Sequence, residues 1–284
     1  MTEVRAVGAE AFDEIYPLLR EFPTQQMSRE DWRRMLFSTP WSDNPQRGYA
    51  LYSGEKAVGF IGTIFSTRHL AGRVEPVCNL SSWIMLPEHR SDVLKLLSPV
   101  LKLRDHTILN PTPSSAAYGI FSRLGFIPLE SERVIVPPVP RFGFGKGGSF
   151  TTSQADLERE LTGENRTIYR DHSWCAAARH VLLRRGERTC YLIAAPVHKR
   201  HLPFAEIEYA SDWDLFWELT PLAHAALFPG TRALALFVDK RFAQGRKPPL
   251  SVAWRCPRLY RPARKEIEPS MIDGLYSELM NLKW

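Results

Sequence analysis

The residues with the clearest capacity for chemistry fall on one predicted strand, Val74–Met85, whose one face presents Glu75, Val77, Asn79, Ser81 and Trp83. Glu75 is the only ionisable member of that face. A carboxylate there can take the proton that an ammonium must lose before its nitrogen attacks, directly or through water. A solvated carboxylate at a strand start has the same signature, and both readings stand at this level. Asn79 and Ser81 are unusual types for a central strand. They can orient a polar substrate, or satisfy each other in the core.

The elements that must position these residues follow from periodicity. Thr2–Val7 alternates as a first strand, and Phe12, Ile15, Leu18, Leu19 and Phe22 recur at helical spacing around an internal Pro17. Ser28 and Asp31 form a capping pair for a second helix. Gly48–Ser53, a Gly54-Glu55 turn and Lys56–Thr67 read as a hairpin leading into Val74–Met85. Pro87 ends that strand, Ser91 or Asp92 can cap a helix to about Leu103, and His106–Leu109 is a short strand. Ser114–Leu124 is a helix stopped by Gly125, and Phe126–Val136 returns as a single strand. Pro137, Pro138 and Pro140 then precede Gly143, Gly145, Gly147 and Gly148, a stiff-then-flexible stretch that marks a linker at 137–150.

The second half repeats the order. Ala178–Leu183, an Arg185-Gly186 turn, Thr189–Ala195, Phe204–Ala210, a helix capped at Ser211 or Asp212, and the strand Ala233–Val238 reproduce hairpin, strand, helix, strand. An internal duplication is the economical explanation.

Composition limits the function classes. Of 284 residues, 44% are hydrophobic and 24% charged, which is a globular and not a disordered balance. No apolar run approaches the ~20 residues of a membrane span, and the acidic N-terminus lacks a signal pattern, so the expectation is a cytoplasmic chain. The net charge of +6 sits mostly in the second half and is too weak to argue for nucleic acid. The basic run Arg246–Lys265 around Trp254 and Tyr260 can bind an anion or a sugar, or form a solvated edge. Cysteines and histidines show no metal-ligand spacing, so no metal is expected.

Trp83-Ile84-Met85-Leu86-Pro87-Glu88-His89-Arg90 resembles the fourth strand of a Gcn5-related (GNAT) acyltransferase running into its pyrophosphate loop. Ala116-Ala117-Tyr118-Gly119-Ile120-Phe121-Ser122-Arg123-Leu124-Gly125-Phe126 is similar to the family's second signature, a helix ending in a leucine-glycine-phenylalanine step. The resemblance covers about residues 1–136. It implies that two neighbouring parallel strands splay apart to admit the acyl arm, and that the next helix directs its N-terminal amides at the cofactor pyrophosphate. By that resemblance Met85, Arg90, Ser91, Asp92, Val93 and Lys95 would hold the cofactor, acetyl-CoA or a longer acyl-CoA, with acyl carrier protein as another donor. The family's loop glycines are replaced by Val93 and Lys95, and Asp92 adds a negative charge. Phe121 stands where the family commonly uses a tyrosine as general acid; Tyr118, one helical turn away, is the substitute, or else a core tyrosine.

The expected fold is therefore α/β, with two GNAT-like units in tandem built on mixed central sheets flanked by helices. Residues 1–136 would form the acyltransferase unit, 137–150 the linker and 151–284 a divergent second unit. The implied activity is acyl transfer from acyl-CoA to an amine or hydroxyl of a small molecule, sugar or peptide, with Glu75 and Tyr118 as catalytic candidates and Asn79 and Ser81 as substrate contacts. The alternative is a non-catalytic GNAT-like module that binds a metabolite or a protein.

Overall fold

The computed structural model describes residues 1–22, 27–129, 132–138 and 147–280. Pro140, Gly143 and Gly145 of the expected linker lie outside these residues. In chain order the elements are β1 (Thr2–Val7), α1 (Phe12–Leu19), α2 (Arg29–Trp32), β2 (Gly48–Ser53), β3 (Lys56–Leu70), β4 (Arg73–Met85), α3 (Val93–Leu101), β5 (Thr107–Asn110), α4 (Ser115–Arg123), β6 (Ile127–Leu129), β7 (Glu132–Val136), β8 (Gly148–Thr151), α5 (Gln154–Glu160), α6 (Gly163–His172), β9 (Arg179–Arg185), β10 (Arg188–Lys199), β11 (Leu202–Ala210), α7 (Trp213–Glu218), α8 (Thr220–Thr231), β12 (Ala235–Asp239), β13 (Val252–Arg255) and β14 (Arg258–Arg261).

Two compact units result. Unit 1 comprises Met1–Leu129, Pro257–Met271 and Tyr276–Glu278; unit 2 comprises Glu130–Cys256, Ile272–Leu275 and Leu279–Trp284. Each contains one seven-stranded sheet. The first has the order β1-β2-β3-β4-β5-β14-β6 and the second, read in the matching sense, β8-β9-β10-β11-β12-β7-β13. In both, one parallel pair (β4–β5, β11–β12) sits among antiparallel neighbours. This is the duplication expected from the sequence, realised strand for strand.

Local chemistry explains the shared parts. The β3–β4 hairpin turns at Ala71-Gly72, both at positive φ, which is the two-residue geometry whose twist matches paired strands. The β10–β11 hairpin turns at Arg200-His201 in the same way. Each hairpin then carries a register shift. Helix α4 ends as the Leu124-Gly125-Phe126 step requires. Gly125 takes φ +87°, the Phe126 amide reaches back to the Phe121 carbonyl at 3.1 Å, and the two phenyl rings pack with centroids 4.9 Å apart. The capping box at the start of α2 is also present, with the Ser28 and Asp31 side chains each bonded to the other's backbone amide.

One expectation is corrected. The stretch Phe126–Val136 is not one strand. Its first part, β6, is the edge of the first sheet, whereas β7 pairs with β12 and β13 in the second. Reciprocally, β14, from the far end of the sequence, pairs with β5 and β6 in the first sheet. The boundary between units therefore falls near residue 130, not at 137–150. Pro128 suits an edge strand because it has no N–H for a central ladder. β7 instead carries Arg133, whose charge is matched only where two acids await it in the second sheet.

Candidate active site

The first sheet opens at its parallel pair. β4 and β5 are in register only from Val77↔Thr107 to Asn79↔Leu109. Beyond that point the β3–β4 register passes from Gly62↔Ser81 to Phe60↔Ile84, so Ser82 and Trp83 together oppose Ile61. Two residues against one is a bulge, and it bends the strand that carries it. Ser82 holds φ +52°, a conformation non-glycine residues rarely adopt. A side chain at Gly62 would stand 3.0 Å from both the Ser81 carbonyl and Leu36. From Leu80 to Met85 the β5-facing edge of β4 has no strand partner among the described residues. Such an edge is a row of backbone donors and acceptors available to an extended, amide-bearing molecule.

On one side of this opening the walls are apolar. Trp83, Met85, Leu86, Val93, Tyr118 and Ile120 pack against a buried cluster that includes Cys78, Leu80, Leu97, Phe121 and Phe126. Trp83 meets Phe121 edge-to-face at 5.5 Å, and its indole N–H is buried without a hydrogen-bond partner. Phe121 is buried within that cluster, and Tyr118 lies half-buried against it.

The other side is polar and centres on a residue that the strand pattern did not reveal. Glu278, only 3% exposed, accepts a hydrogen bond from the Ser81 hydroxyl on β4 and another from the Thr112 hydroxyl just beyond β5. It thus bridges the two lips of the opening. Burial pushes its carboxyl pKa upward, against smaller opposing pulls from Ser81, Thr112 and Arg258. Asn79 donates from Nδ2 to the Tyr276 carbonyl at 2.8 Å and leaves its buried Oδ1 without a partner. Asn79 and Ser81 are therefore joined through the segment Tyr276–Glu278 and not to each other. The only sequence signal for Glu278 is a lone acid between Tyr276 and Leu279-Met280 in an apolar run.

Glu75 sits elsewhere. It is six residues upstream of Ser81, about 20 Å along the strand at roughly 3.3 Å per residue. It is buried opposite Arg68, and its carboxylate accepts from Arg264. Its role there is an ion pair. The expected basic patch is likewise dispersed: Arg246 binds Asp214, Arg258 is buried, Arg261 donates to the Leu101 and Leu103 carbonyls, and Arg264 serves Glu75.

The helix start expected to hold a pyrophosphate is built differently from an anion cradle. Pro87–Asp92 winds as 3-10 helix directly into α3. The His89 amide donates to the Leu86 carbonyl and the Val93 amide to the Arg90 carbonyl, so the loop turns amides onto its own carbonyls. Asp92 accepts the Thr2 hydroxyl at 2.8 Å, and Lys95 donates to the Thr2 hydroxyl and carbonyl. Ser91 is exposed, and Arg90 is exposed with no ion-pair partner among the described residues. The pyrophosphate of CoA does not fit this donor set; the unpaired β4 edge does fit an amide-bearing arm.

The second sheet closes the corresponding place with charge. Arg133, 2% exposed, donates to Glu206 on β11 at 2.8 Å and to Asp239 on β12, and Arg241 also binds Asp239 at 2.7 Å. Burial alone would lower the Arg133 pKa, but Glu206, Asp239 and Glu208 outweigh it and hold the guanidinium charged. The start of α7 is filled by the chain's own carboxylate, Asp212, which accepts the Leu215 amide at 2.8 Å and pairs with Arg188.

No protein-family model matches the chain, and no curated protein matches it. Solved structures do. A GCN5-related N-acetyltransferase from Anabaena variabilis is 11% identical, with 93% of this chain and 73% of that chain covered at a TM-score of 0.61. One from Kribbella flavida is 12% identical, with 92% and 71% covered at 0.61. A fungal glucosamine N-acetyltransferase region of a multi-domain β-N-acetylglucosaminidase is 12% identical, with 92% of this chain and 38% of that one covered at 0.60. At these identities the likeness concerns the fold, and it agrees with the two sheets described above: the chain carries the GNAT fold, built from two mixed seven-stranded sheets in tandem.

Proposed function

We propose that unit 1 is an acyltransferase that moves an acyl group from a thioester onto an amine, or a hydroxyl, of a small-molecule, sugar or peptide acceptor. The observation that carries this reading is the parting of β4 from β5 after Asn79↔Leu109, with the buried Glu278 carboxyl bonded to both lips. Glu278 is the general base. A carboxyl whose pKa is raised by burial is better matched to an ammonium proton than one at its ordinary value. Asn79 Oδ1 accepts an N–H of the incoming nucleophile, and the Trp83 indole N–H donates to the acyl oxygen as it gains charge. Glu278 first takes the ammonium proton and releases it to solvent, freeing the amine. As nitrogen bonds to the acyl carbon it gives up a second proton to Glu278, and that proton passes to the sulfur as the carbon–sulfur bond breaks. No tyrosine is needed, because a thiol with a pKa of about 8.5 is a competent leaving group.

The neighbouring glucosamine N-acetyltransferase region is the reason to keep a sugar amine in the acceptor panel. The test is release of free thiol from acyl thioesters in the presence of amine, amino-sugar and peptide acceptors, with product mass measured in parallel. Acylated product from the wild-type chain supports the reading. No product from any donor–acceptor pair contradicts it. The self-bonded loop Pro87–Asp92 favours a second reading, a module that binds an acyl compound without transferring it. Saturable binding without thiol release would select that one.

A further inference from the structure

We infer that the acyl donor of unit 1 is a thioester of phosphopantetheine type, an amide-bearing thiol arm with at most one phosphate group, free or tethered, and not acyl-CoA. The inference rests on the acyltransferase reading and names its donor.

CoA presents two chemically distinct parts to a protein. One is an extended arm with two amides. The other is a 3′-phosphorylated ADP, which brings about four negative charges through its pyrophosphate and phosphate monoester. The opening suits the first part. Among the described residues the β5-facing edge of β4 from Leu80 to Met85 has no strand partner, Trp83 and Met85 pack against the apolar cluster that holds Phe121, and the indole N–H has no hydrogen-bond partner. An extended arm laid along that edge pairs its amides as an added strand would.

At the start of α3 the described residues offer the second part no cradle. A pyrophosphate at a helix start is held by free amides and by cations. Here the loop bends its own amides back in a 3-10 coil that runs unbroken into α3. The two charged side chains of the first turn are already engaged on β1: Asp92 accepts the Thr2 hydroxyl, and Lys95 donates to Thr2. The Asp92 carboxylate also lies at the N-cap, where it repels an approaching polyanion. Beside this turn, among the described residues, Arg90 is exposed and has no ion-pair partner, and one guanidinium complements one phosphate group and not three. The same arm can arrive as a small molecule or tethered to a carrier protein.

The experiment presents one acyl group to the full chain on four carriers: CoA, phosphopantetheine, pantetheine and holo-acyl carrier protein. The expected result is a kcat/KM with the CoA thioester no higher than with the phosphopantetheine thioester. Arg90→Ala should lower kcat/KM for the phosphopantetheine and carrier-protein donors about fivefold and leave the pantetheine donor unchanged. A carrier-protein donor at least tenfold better than free phosphopantetheine assigns the protein-borne source; equality assigns the free one. A CoA thioester preferred tenfold or more over the phosphopantetheine thioester overturns the inference. Competition binding of free CoA against phosphopantetheine gives the same decision without turnover: CoA binding tenfold tighter overturns it, and equal binding supports it. If no donor is turned over by the wild-type chain, the acyltransferase reading fails, and the binding comparison still decides which arm the opening accepts.

Discussion

The two sheets share a strand order, a hairpin turn of the same geometry and a bulge beside the parallel pair, yet they treat the place where that pair ends in opposite ways. In unit 2, Arg133 is locked between Glu206 and Asp239, and Asp212 occupies its own helix start. Arg133, Glu206, Asp239 and Asp212 are each matched from within the chain. In unit 1 the strands part over neutral hydroxyl and amide groups, one carboxyl bridges the gap, and two polar atoms, Asn79 Oδ1 and Trp83 Nε1, are left unsatisfied. Buried polar atoms without partners are destabilising, and a bound acyl compound would supply partners for these two. The comparison teaches that two copies of one fold can agree in topology and differ in how they satisfy the place where the parallel pair ends, one with an ion network and the other with a single bridging carboxyl.

Substitutions can break this contrast at either end. The largest effect should come from Arg133→Met, which leaves Glu206 and Asp239 buried and without their shared partner. A loss of about 3–5 kcal/mol in folding stability is expected, read by chemical denaturation. A loss below about 1 kcal/mol would mean that the ion network does not hold unit 2 together.

Next is Glu278→Gln. Glutamine can still accept from one of the Ser81 and Thr112 hydroxyls and donate to the other, but it cannot take a proton, so transfer should fall by about a hundredfold or more. The stability effect has a definite sign. The Glu278 pKa is raised in the folded chain, so between the ordinary carboxylate value and the folded value the native state binds more proton than the unfolded one. Stability therefore declines as pH rises through that window. Glu278→Gln should remove the decline and equal or exceed the wild type in stability at neutral pH, as read from denaturation curves across pH.

A smaller effect is expected from Asp92→Asn. Its side-chain oxygen still accepts from Thr2, while the negative charge at the helix start is gone. Binding of CoA should tighten a few-fold relative to phosphopantetheine in competition assays, and an unchanged ratio would show that Asp92 does not set donor choice. The smallest should be Tyr118→Phe, which removes a hydroxyl from a side chain packed against the apolar cluster. A change of less than about twofold in turnover agrees with a packing role. A loss of a hundredfold would restore the phenol as general acid and move the chemistry away from Glu278.

Much of this contrast was legible in the amino-acid order. The β2–β3 hairpin, the capping box at Ser28, the bend at Pro87 and the Gly125 helix stop all depend on local preferences, and local preferences are written residue by residue. The destinations of β7 and β14 were not. A strand of four or five residues declares its period but not its sheet, and the choice is made by partners far along the chain, such as Glu206 and Asp239 for Arg133. The same limit hid Glu278. Strand alternation nominated Glu75 because it shares a face with Asn79 and Ser81, but Arg264 reaches that carboxylate first, and the acid that meets Ser81 comes from nearly two hundred residues downstream, at |i−j| = 197. The departure of the helix start from the family pattern could be read at Val93 and Lys95. That the loop coils on itself and ties Lys95 to Thr2 could not.

In the proposed reading, the opened parallel pair of unit 1 transfers acyl groups with Glu278 as its base. The most direct measurement is the pH dependence of kcat/KM for thioester-driven acylation of an amine by the wild-type chain and by Glu278→Gln, with folding checked in each sample. The wild-type rate should climb with pH through a group titrating above the ordinary carboxylate range, and the Glu278→Gln rate should be about a hundredfold lower and lack that limb. Equal rates and superimposable pH profiles for the two proteins would contradict it.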